Sequence, residues 1–241
     1  MIYRFDILGS TNDEARNPLY REGDVIIAER QTAGRGQRGH TWESAEGKNL
    51  TFSLILEPKF LPINEQFLLS EVLALGLVDT FAEYGIEAKI KWTNDIYVGE
   101  KKIVGMLIEN SLGGGALART IAGIGLNINQ TEFDPSLPNP TSMALVAGCE
   151  FDREDVLSRL HANILSLYEA LRRGQKEMLQ SRYRSTMYRL GEKHPYALPD
   201  GSIFEGIIRG VRPSGELLIE HTADGSLQEY LFKQVEFIIK K

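Results

Sequence analysis

The segment 29–43, which reads ERQTAGRGQRGHTWE, constrains the fold of this chain more than any other segment. It holds three glycines and three arginines, a composition that fits neither a regular helix nor a strand. Glycine lets a ligand approach the main chain, and arginine offers a planar charged group that fits carboxylates and phosphates. The apolar runs at 25–29 and 49–57 are typical of buried strands. The sequence therefore predicts a cationic loop between two core strands, either a clamp for an anionic ligand or a solvated surface loop.

Length and charge restrict the class of protein. A chain of 241 residues is long enough for one large domain, or for one domain and a small satellite. Its net charge of −6 argues against a general nucleic-acid or anionic-membrane surface, so the arginines of the loop are a local feature. The single cysteine, Cys149, excludes an intramolecular disulfide and a cysteine metal cluster. Without a signal-peptide pattern or an apolar run of roughly 20 residues, we expect a cytoplasmic protein that does not span a membrane.

The first polar cluster follows a predicted strand at 3–8. Thr11 and Glu14 have the spacing of a capping box, which predicts a helix from there to about Tyr20. Ser10, Thr11 and Asn12 could simply cap this helix, or they could bind the polar head of a ligand. Further amphipathic patterns predict scaffold helices at about 65–84, 142–146, 153–173 and 175–189.

A predicted hairpin contains the most informative lysine. Strands at 88–92 and 101–109 flank a turn at Gly99. Strand alternation places Lys102 opposite Lys101 and on the same face as Val104. A lysine on a packing face is costly unless it is paired or the face lines a cavity. Downstream, the glycines of the segment 123–127 (GIGLN) indicate either a close approach to the backbone or a β-bulge.

The composition changes at Gly191. From there the chain shows short alternating strands separated by turn signals such as PDG, PSG and DG. This pattern predicts a small all-β unit, and we therefore divide the chain into domains at 1–190 and 191–241.

Three motifs in order now point to a family. They are GRGQRGHTW at 34–42, KWTND at 91–95 followed by KKIVG at 101–105, and GIGLN at 123–127. Together they resemble the biotin–protein ligases, whose pattern is GRGRxGRxW, then KWPND and KKIxG, then GxGxN. Ser10, Thr11, Asn12 and Gln31 also match family positions, and the resemblance covers essentially the whole chain. Each motif alone is weak, but their combination is highly specific.

The resemblance implies both a fold and an activity. The fold would be α+β, a mixed sheet with flanking helices like that of class II aminoacyl-tRNA synthetases, followed by a small SH3-like β-barrel. The activity would join biotin and ATP, with Mg²⁺, into biotinyl-5′-adenylate and pyrophosphate, and then transfer biotin to a lysine of a biotin carboxyl carrier domain of a carboxylase. Lipoate–protein ligase is the alternative. Because the chain begins at the catalytic first strand, we expect a ligase-only monomer or homodimer that does not bind DNA.

The resemblance also implies the site residues. Lys102, Arg35 and Asp95 would be catalytic, with Asp95 orienting or deprotonating the carrier lysine. Biotin would bind to Ser10, Thr11, Asn12, Gln31, Arg35, Gly36, Gln37, Lys102 and Gly105. ATP would bind to Arg35, Arg38, Trp42, Asn94, Lys102 and Asn127. No metal ligand can be assigned. Gln37 stands where the family often has arginine, which we expect to tune adenylate retention, and Thr93 replaces the usual proline.

Overall fold

The computed structural model describes residues 1–36 and 41–239. Its centre is a seven-stranded sheet with the order β1-β2-β3-β7-β6-β5-β4. The first two strands run parallel and the remaining pairs are antiparallel, so the sheet is mixed. The strands are β1 (Ile2–Leu8), β2 (Val25–Gln31), β3 (Leu50–Leu56), β4 (Lys89–Lys91), β5 (Asp95–Val98), β6 (Lys101–Gly113) and β7 (Ala116–Leu126).

Helices flank this sheet, which confirms the predicted α+β class. The two longest helices pack closely on each other. A Cβ added at Gly76 of one would come within 2.5 Å of the Ile164 side chain of the other. Their apolar residues join those of the strands in one core cluster. The helices are α1 (Thr11–Glu14), α2 (Phe67–Glu83), α3 (Met143–Ala147), α4 (Arg153–Arg172) and α5 (Lys176–Thr186). None of the helices in the described ranges is long and apolar enough to cross a membrane.

Two predicted helices are shorter than the sequence suggested. The first ends at Glu14 instead of continuing to Tyr20, because Pro18 disfavours helical backbone at the residue before it. The last ends at Thr186 instead of 189, because the backbone of Met187 is extended. The amide of Tyr188 then donates to the carbonyl of Ile90 and continues the edge of the sheet.

The C-terminal segment forms a second, antiparallel sheet with the order β11-β10-β9-β8-β12. The short alternating strands predicted for it are therefore confirmed. Its strands are β8 (Lys193–Ala197), β9 (Ile203–Val211), β10 (Leu217–His221), β11 (Leu227–Tyr230) and β12 (Glu236–Phe237). The indole N–H of Trp92 donates to the carbonyl of Gly215 at 2.9 Å and so ties the end of β4 to this sheet.

Candidate active site

One cavity of about 560 Å³ lies where the start of α1, the middle strands of the large sheet and the end of the second sheet meet. It gathers most of the residues that the sequence singles out. Those lining it are Ser10, Thr11, Asn12, Gln31, Arg35, Gly36, Trp42, Asn94, Asp95, Lys102 and Gly105. Residues as far apart in the chain as Ser10 and Gly105 thus share one chamber.

Three predicted site residues are not in this set. Asn127 is 4 % exposed and does not line the cavity. Its side-chain amide donates to the carbonyl of Thr141 at 3.0 Å and joins the end of β7 to the segment before α3. Gln37 and Arg38 lie outside the described residues.

One end of the cavity is built from uncharged hydrogen-bonding groups. The backbone amide and the hydroxyl of Thr11 contact Oε1 of Gln31 at 2.7 and 3.1 Å. Behind them, the buried hydroxyl of Ser53 lies 2.8 Å from Oγ1 of Thr11 and 2.6 Å from Oδ1 of Asn12. Such a cluster suits a neutral polar ring, because each buried polar atom of a ligand needs a partner.

The other end is cationic. Nζ of Lys102 lies 2.7 Å from Oδ1 of Asp95, and Nζ of Lys91 lies 3.9 Å from Oδ2 of the same carboxylate. Burial lowers the pKa of Lys91, and the attraction of Asp95 opposes that effect. Four cationic side chains and two carboxylates line the described part of the wall: Arg35, Lys91, Lys102, Lys233, Asp95 and Glu236. In a protein of net charge −6, this local excess of positive charge favours an anionic ligand.

Lys102 reaches the cavity through an irregular pairing. The register between β5 and β6 shifts between Ile96 and Tyr97. Strict alternation therefore fails, and the prediction that Lys102 shares a face with Val104 is wrong. Val104 is fully buried in the core, whereas Lys102 lines the cavity. The cost of placing Lys102 here is offset, because its side chain lines the cavity and forms an ion pair with Asp95.

Arg35 stands at the base of the glycine-rich loop. It forms an isolated bridge with Thr41, and the amide of Trp42 donates to the carbonyl of Gly34 at 3.2 Å. Nη2 of Arg35 lies 2.7 Å from Oδ1 of Asp13. The guanidinium thus faces the cavity with a carboxylate partner at its side.

The glycines of β7 explain how polar and aromatic groups reach the sheet. A Cβ at Gly123 would collide with the side-chain amide of Asn12, and one at Gly125 would collide with the indole of Trp42. The pairings of β7 show no register shift at either glycine. The predicted close approach of another group to the backbone is therefore confirmed, and the alternative prediction of a β-bulge is wrong. The indole also covers Gly105, and Nζ of Lys102 lies 5.7 Å from its ring centroid.

Sequence reasoning missed three parts of the site. Lys91 belongs to the KWTND motif and directly follows the buried Ile90. Strand alternation therefore places Lys91 on the face of β4 opposite Ile90, and this was a signal that could have found it. Ser53 and Glu109 contact Asn12 from β3 and β6, the strands on either side of β7, and no local pattern indicates this. The wall formed by residues 232–237 depends on how the second sheet docks, which the sequence does not reveal.

Comparison with known proteins identifies the family of this chain. The model of the biotin/lipoate A/B protein ligase family matches residues 5–127. The bifunctional ligase/repressor BirA of Bacillus subtilis (strain 168) is 36 % identical over 167 residues, which are 66 % of this chain and 51 % of that protein. The chain thus spans about half the length of this relative.

Two further relatives match over nearly their full length. The biotin–[acetyl-CoA-carboxylase] ligase of Paracoccus denitrificans is 30 % identical over 89 % of this chain and 92 % of its own. The biotin protein ligase from Aquifex aeolicus, solved in complex with biotin and ATP, superposes with a TM-score of 0.83 at 27 % identity over 99 % of both chains. The chain therefore belongs to the biotin/lipoate A/B protein ligase family, among its biotin ligases.

Proposed function

We propose that this protein is a biotin–protein ligase that works in two steps. In the first step, a biotin carboxylate oxygen attacks the α-phosphorus of ATP, which forms biotinyl-5′-adenylate and releases pyrophosphate. In the second step, a lysine amine of a carrier domain of a biotin-dependent carboxylase attacks the acyl carbon and releases AMP. One observation carries the proposal: a single cavity joins a neutral hydrogen-bonding end to a cationic end. Biotin has the same two parts, a cyclic urea and a carboxylate.

In the first step an anion must approach a polyanion, and the cationic end of the cavity reduces the repulsion between them. Preorganised positive charge lowers this barrier because it costs no reorganisation during the reaction. Lys102 would neutralise the charge that develops between the carboxylate and the α-phosphate, and Arg35 would hold the carboxylate. Trp42 and Asn94 line the same end and would contact the nucleotide. Gln37 and Arg38 remain part of the proposed biotin and ATP contacts, whereas Asn127, which binds the Thr141 carbonyl outside the cavity, does not.

Asp95 would serve the second step. It is the carboxylate nearest to Lys102, so it could orient the carrier lysine and accept its proton. Ser10, Thr11, Asn12 and Gln31 would hold the urea, while Gly36 and Gly105 let the ligand approach the backbone. The apolar dithiolane of lipoate would leave these polar groups unpaired, so the neutral polar end favours biotin.

The finer features of the fold, metal and partners are also part of this proposal. The five-stranded C-terminal sheet supports an SH3-like barrel at 191–241, which follows a class II synthetase-like catalytic domain at 1–190.

No group of three or more His, Cys, Asp or Glu side chains suited to a metal occurs within 1–36 and 41–239. Mg²⁺ commonly uses one or two carboxylates together with substrate phosphates, and Asp95 and Glu236 line the cavity. The partner would be a carrier domain, with the ligase a monomer or homodimer.

The test is pyrophosphate exchange into ATP, measured with biotin and in parallel with lipoate. We expect exchange with biotin only, and a loss of about 100-fold or more in Lys102→Ala. Lys101→Ala is the matched control, because Lys101 is an exposed neighbour outside the cavity. Exchange with lipoate alone, or an equal loss in both variants, would overturn the assignment. Transfer of labelled biotin to a carrier lysine then tests the second step.

A further inference from the structure

A chain of hydrogen bonds runs from the edge of the site to its neutral end. Oε2 of Glu109 lies 2.8 Å from Nδ2 of Asn12. Oδ1 of Asn12 lies 2.6 Å from Oγ of Ser53, which in turn lies 2.8 Å from Oγ1 of Thr11. Glu109 is not among the described residues that line the cavity, so its influence on a ligand must pass through the residues that it contacts.

Two acceptors beside the Asn12 amide, the nearer of them Glu109, fix the direction of every hydrogen bond in the chain. A carboxylate and a backbone carbonyl only accept, so the Asn12 amide directs both hydrogens to Glu109 and to the Leu107 carbonyl at 3.3 Å. Its oxygen must then face Ser53. Since Ser53 has a single hydroxyl hydrogen, it donates to Asn12 and accepts from Thr11.

This direction decides what the end of the chain offers to a ligand. The hydroxyl hydrogen of Thr11 points away towards Ser53, and Oε1 of Gln31 is already bound by the Thr11 backbone amide at 2.7 Å. Two oxygens 3.1 Å apart, Oγ1 of Thr11 and Oε1 of Gln31, then both act as acceptors. A ligand N–H placed between them can donate to both, whereas a group without a donor leaves two acceptors facing each other with no hydrogen between them.

We infer that Glu109 is a positioning and specificity-determining residue, which presets the neutral end of the cavity to accept N–H groups. The inference rests on the proposed function, because it makes Glu109 the source of the preference for a cyclic urea over a dithiolane. Its effect is remote, through Asn12 and Ser53, and requires no contact with the ligand.

Glu109 has a second set of contacts that the test must separate. Its Oε1 lies 2.9 Å from Nη2 of Arg16, and its Oε2 lies 3.5 Å from Nη2 of Arg35. Loss of the carboxylate could therefore act through charge on Arg35 instead of through hydrogen-bond direction. Gln at position 109 removes the charge and keeps an acceptor for Asn12, so the two explanations predict different results.

The experiment compares Glu109→Met, Glu109→Gln, Ser53→Ala and Arg16→Gln with the wild type. Calorimetry measures biotin binding without ATP, exchange kinetics give kcat and the two KM values, and thermal unfolding checks each variant. We expect Glu109→Met to weaken biotin binding about 10- to 100-fold, with kcat and the KM for ATP changed less than about threefold. Ser53→Ala should show the same pattern, because it breaks the chain while leaving both ion pairs of Glu109 in place.

Glu109→Gln and Arg16→Gln should bind biotin within about threefold of the wild type, since each keeps the acceptor for Asn12. Biotin binding by Glu109→Met and Ser53→Ala equal to that of the wild type would overturn the inference. An equal loss in Glu109→Gln and Glu109→Met would also overturn it, in favour of charge on Arg35. A wild-type protein that binds no biotin would instead refute the proposed function.

Discussion

The ammonium of Lys102 and the carboxylate of Asp95 form a direct ion pair, with 2.7 Å between Nζ and Oδ1. They pair across β6 and β5, close to the register shift that turns Lys102 towards the cavity. The two groups that we assign to different steps therefore touch each other. Each holds the other in place, and the second oxygen of the carboxylate lies 3.9 Å from Nζ of Lys91.

Asp95→Asn should impair the transfer of biotin more than the formation of the adenylate. The amide cannot accept a proton from the carrier lysine, and general-base catalysis typically contributes about 100-fold or more. Pyrophosphate exchange should fall about tenfold or less, since Lys102 keeps a hydrogen-bonding neighbour. Single-turnover transfer from preformed adenylate, measured beside exchange, separates the two effects. Equal losses in both assays would mean that Asp95 only positions Lys102.

Lys91→Met should raise stability and lower affinity for ATP. Lys91 is 16 % exposed at its side chain and lies 4.8 Å from the ring centroid of Phe237, so its charge is held in largely apolar surroundings. Removing this charge relieves its desolvation cost, and Asp95 keeps Lys102 as its partner, so we expect a gain of about 1 kcal/mol. The KM for ATP should rise about tenfold, because the cavity loses a cation. Urea unfolding and exchange kinetics test this, and lower stability with unchanged KM would contradict it.

Glu71 should make the protein less stable as the pH rises from about 4.5 to about 8. This carboxyl is 2 % exposed in α2, and burial raises its pKa from 4.5 to about 8. The folded state therefore holds a proton that the unfolded state releases within this range, so the free energy of unfolding falls as the pH rises. Glu71→Gln should remove most of this slope and raise stability at pH 8 by a few kcal/mol, on the order set by the pKa shift.

Urea unfolding at pH 5, 6.5 and 8 measures the slope for Glu71→Gln. Glu177→Gln is the matched control, because Glu177 is exposed in α5. A slope that persists unchanged in Glu71→Gln would show that another group binds the proton.

Gly125→Ala should displace Trp42 and weaken ATP binding. The added methyl group occupies the space of the indole, which would have to leave its place above the sheet. We expect the KM for ATP to rise about tenfold while biotin binding changes little, because the neutral end is untouched. Tryptophan fluorescence follows the indole directly, since the chain has only two tryptophans. Gly9→Ala is the control, because a Cβ there meets nothing within 4 Å. Unchanged fluorescence in Gly125→Ala would contradict the prediction.

The sequence predicted the site far better than the contacts within it. Glycines 123 and 125 indicated that something approaches β7, but only the fold shows that Asn12 and Trp42 do so. Motif spacing could not place Asn127, because its side chain turns towards Thr141, a partner from a loop. Alternation failed at Lys102 because a register shift depends on both strands of a pair. Local patterns thus predict elements and motifs, whereas long-range pairing decides which atoms meet.

Residues 232–237 complete the chamber, and this affects when the protein can act during its own synthesis. Phe232, Lys233 and Glu236 line the cavity beside residues of the first hundred positions. A nascent chain that has folded only the large sheet would hold a site open on one side. It would acquire a closed one once these residues leave the ribosome and the second sheet docks through Trp92. Adenylate made earlier would meet water, so the fold itself delays activity until the second sheet has been made and has docked.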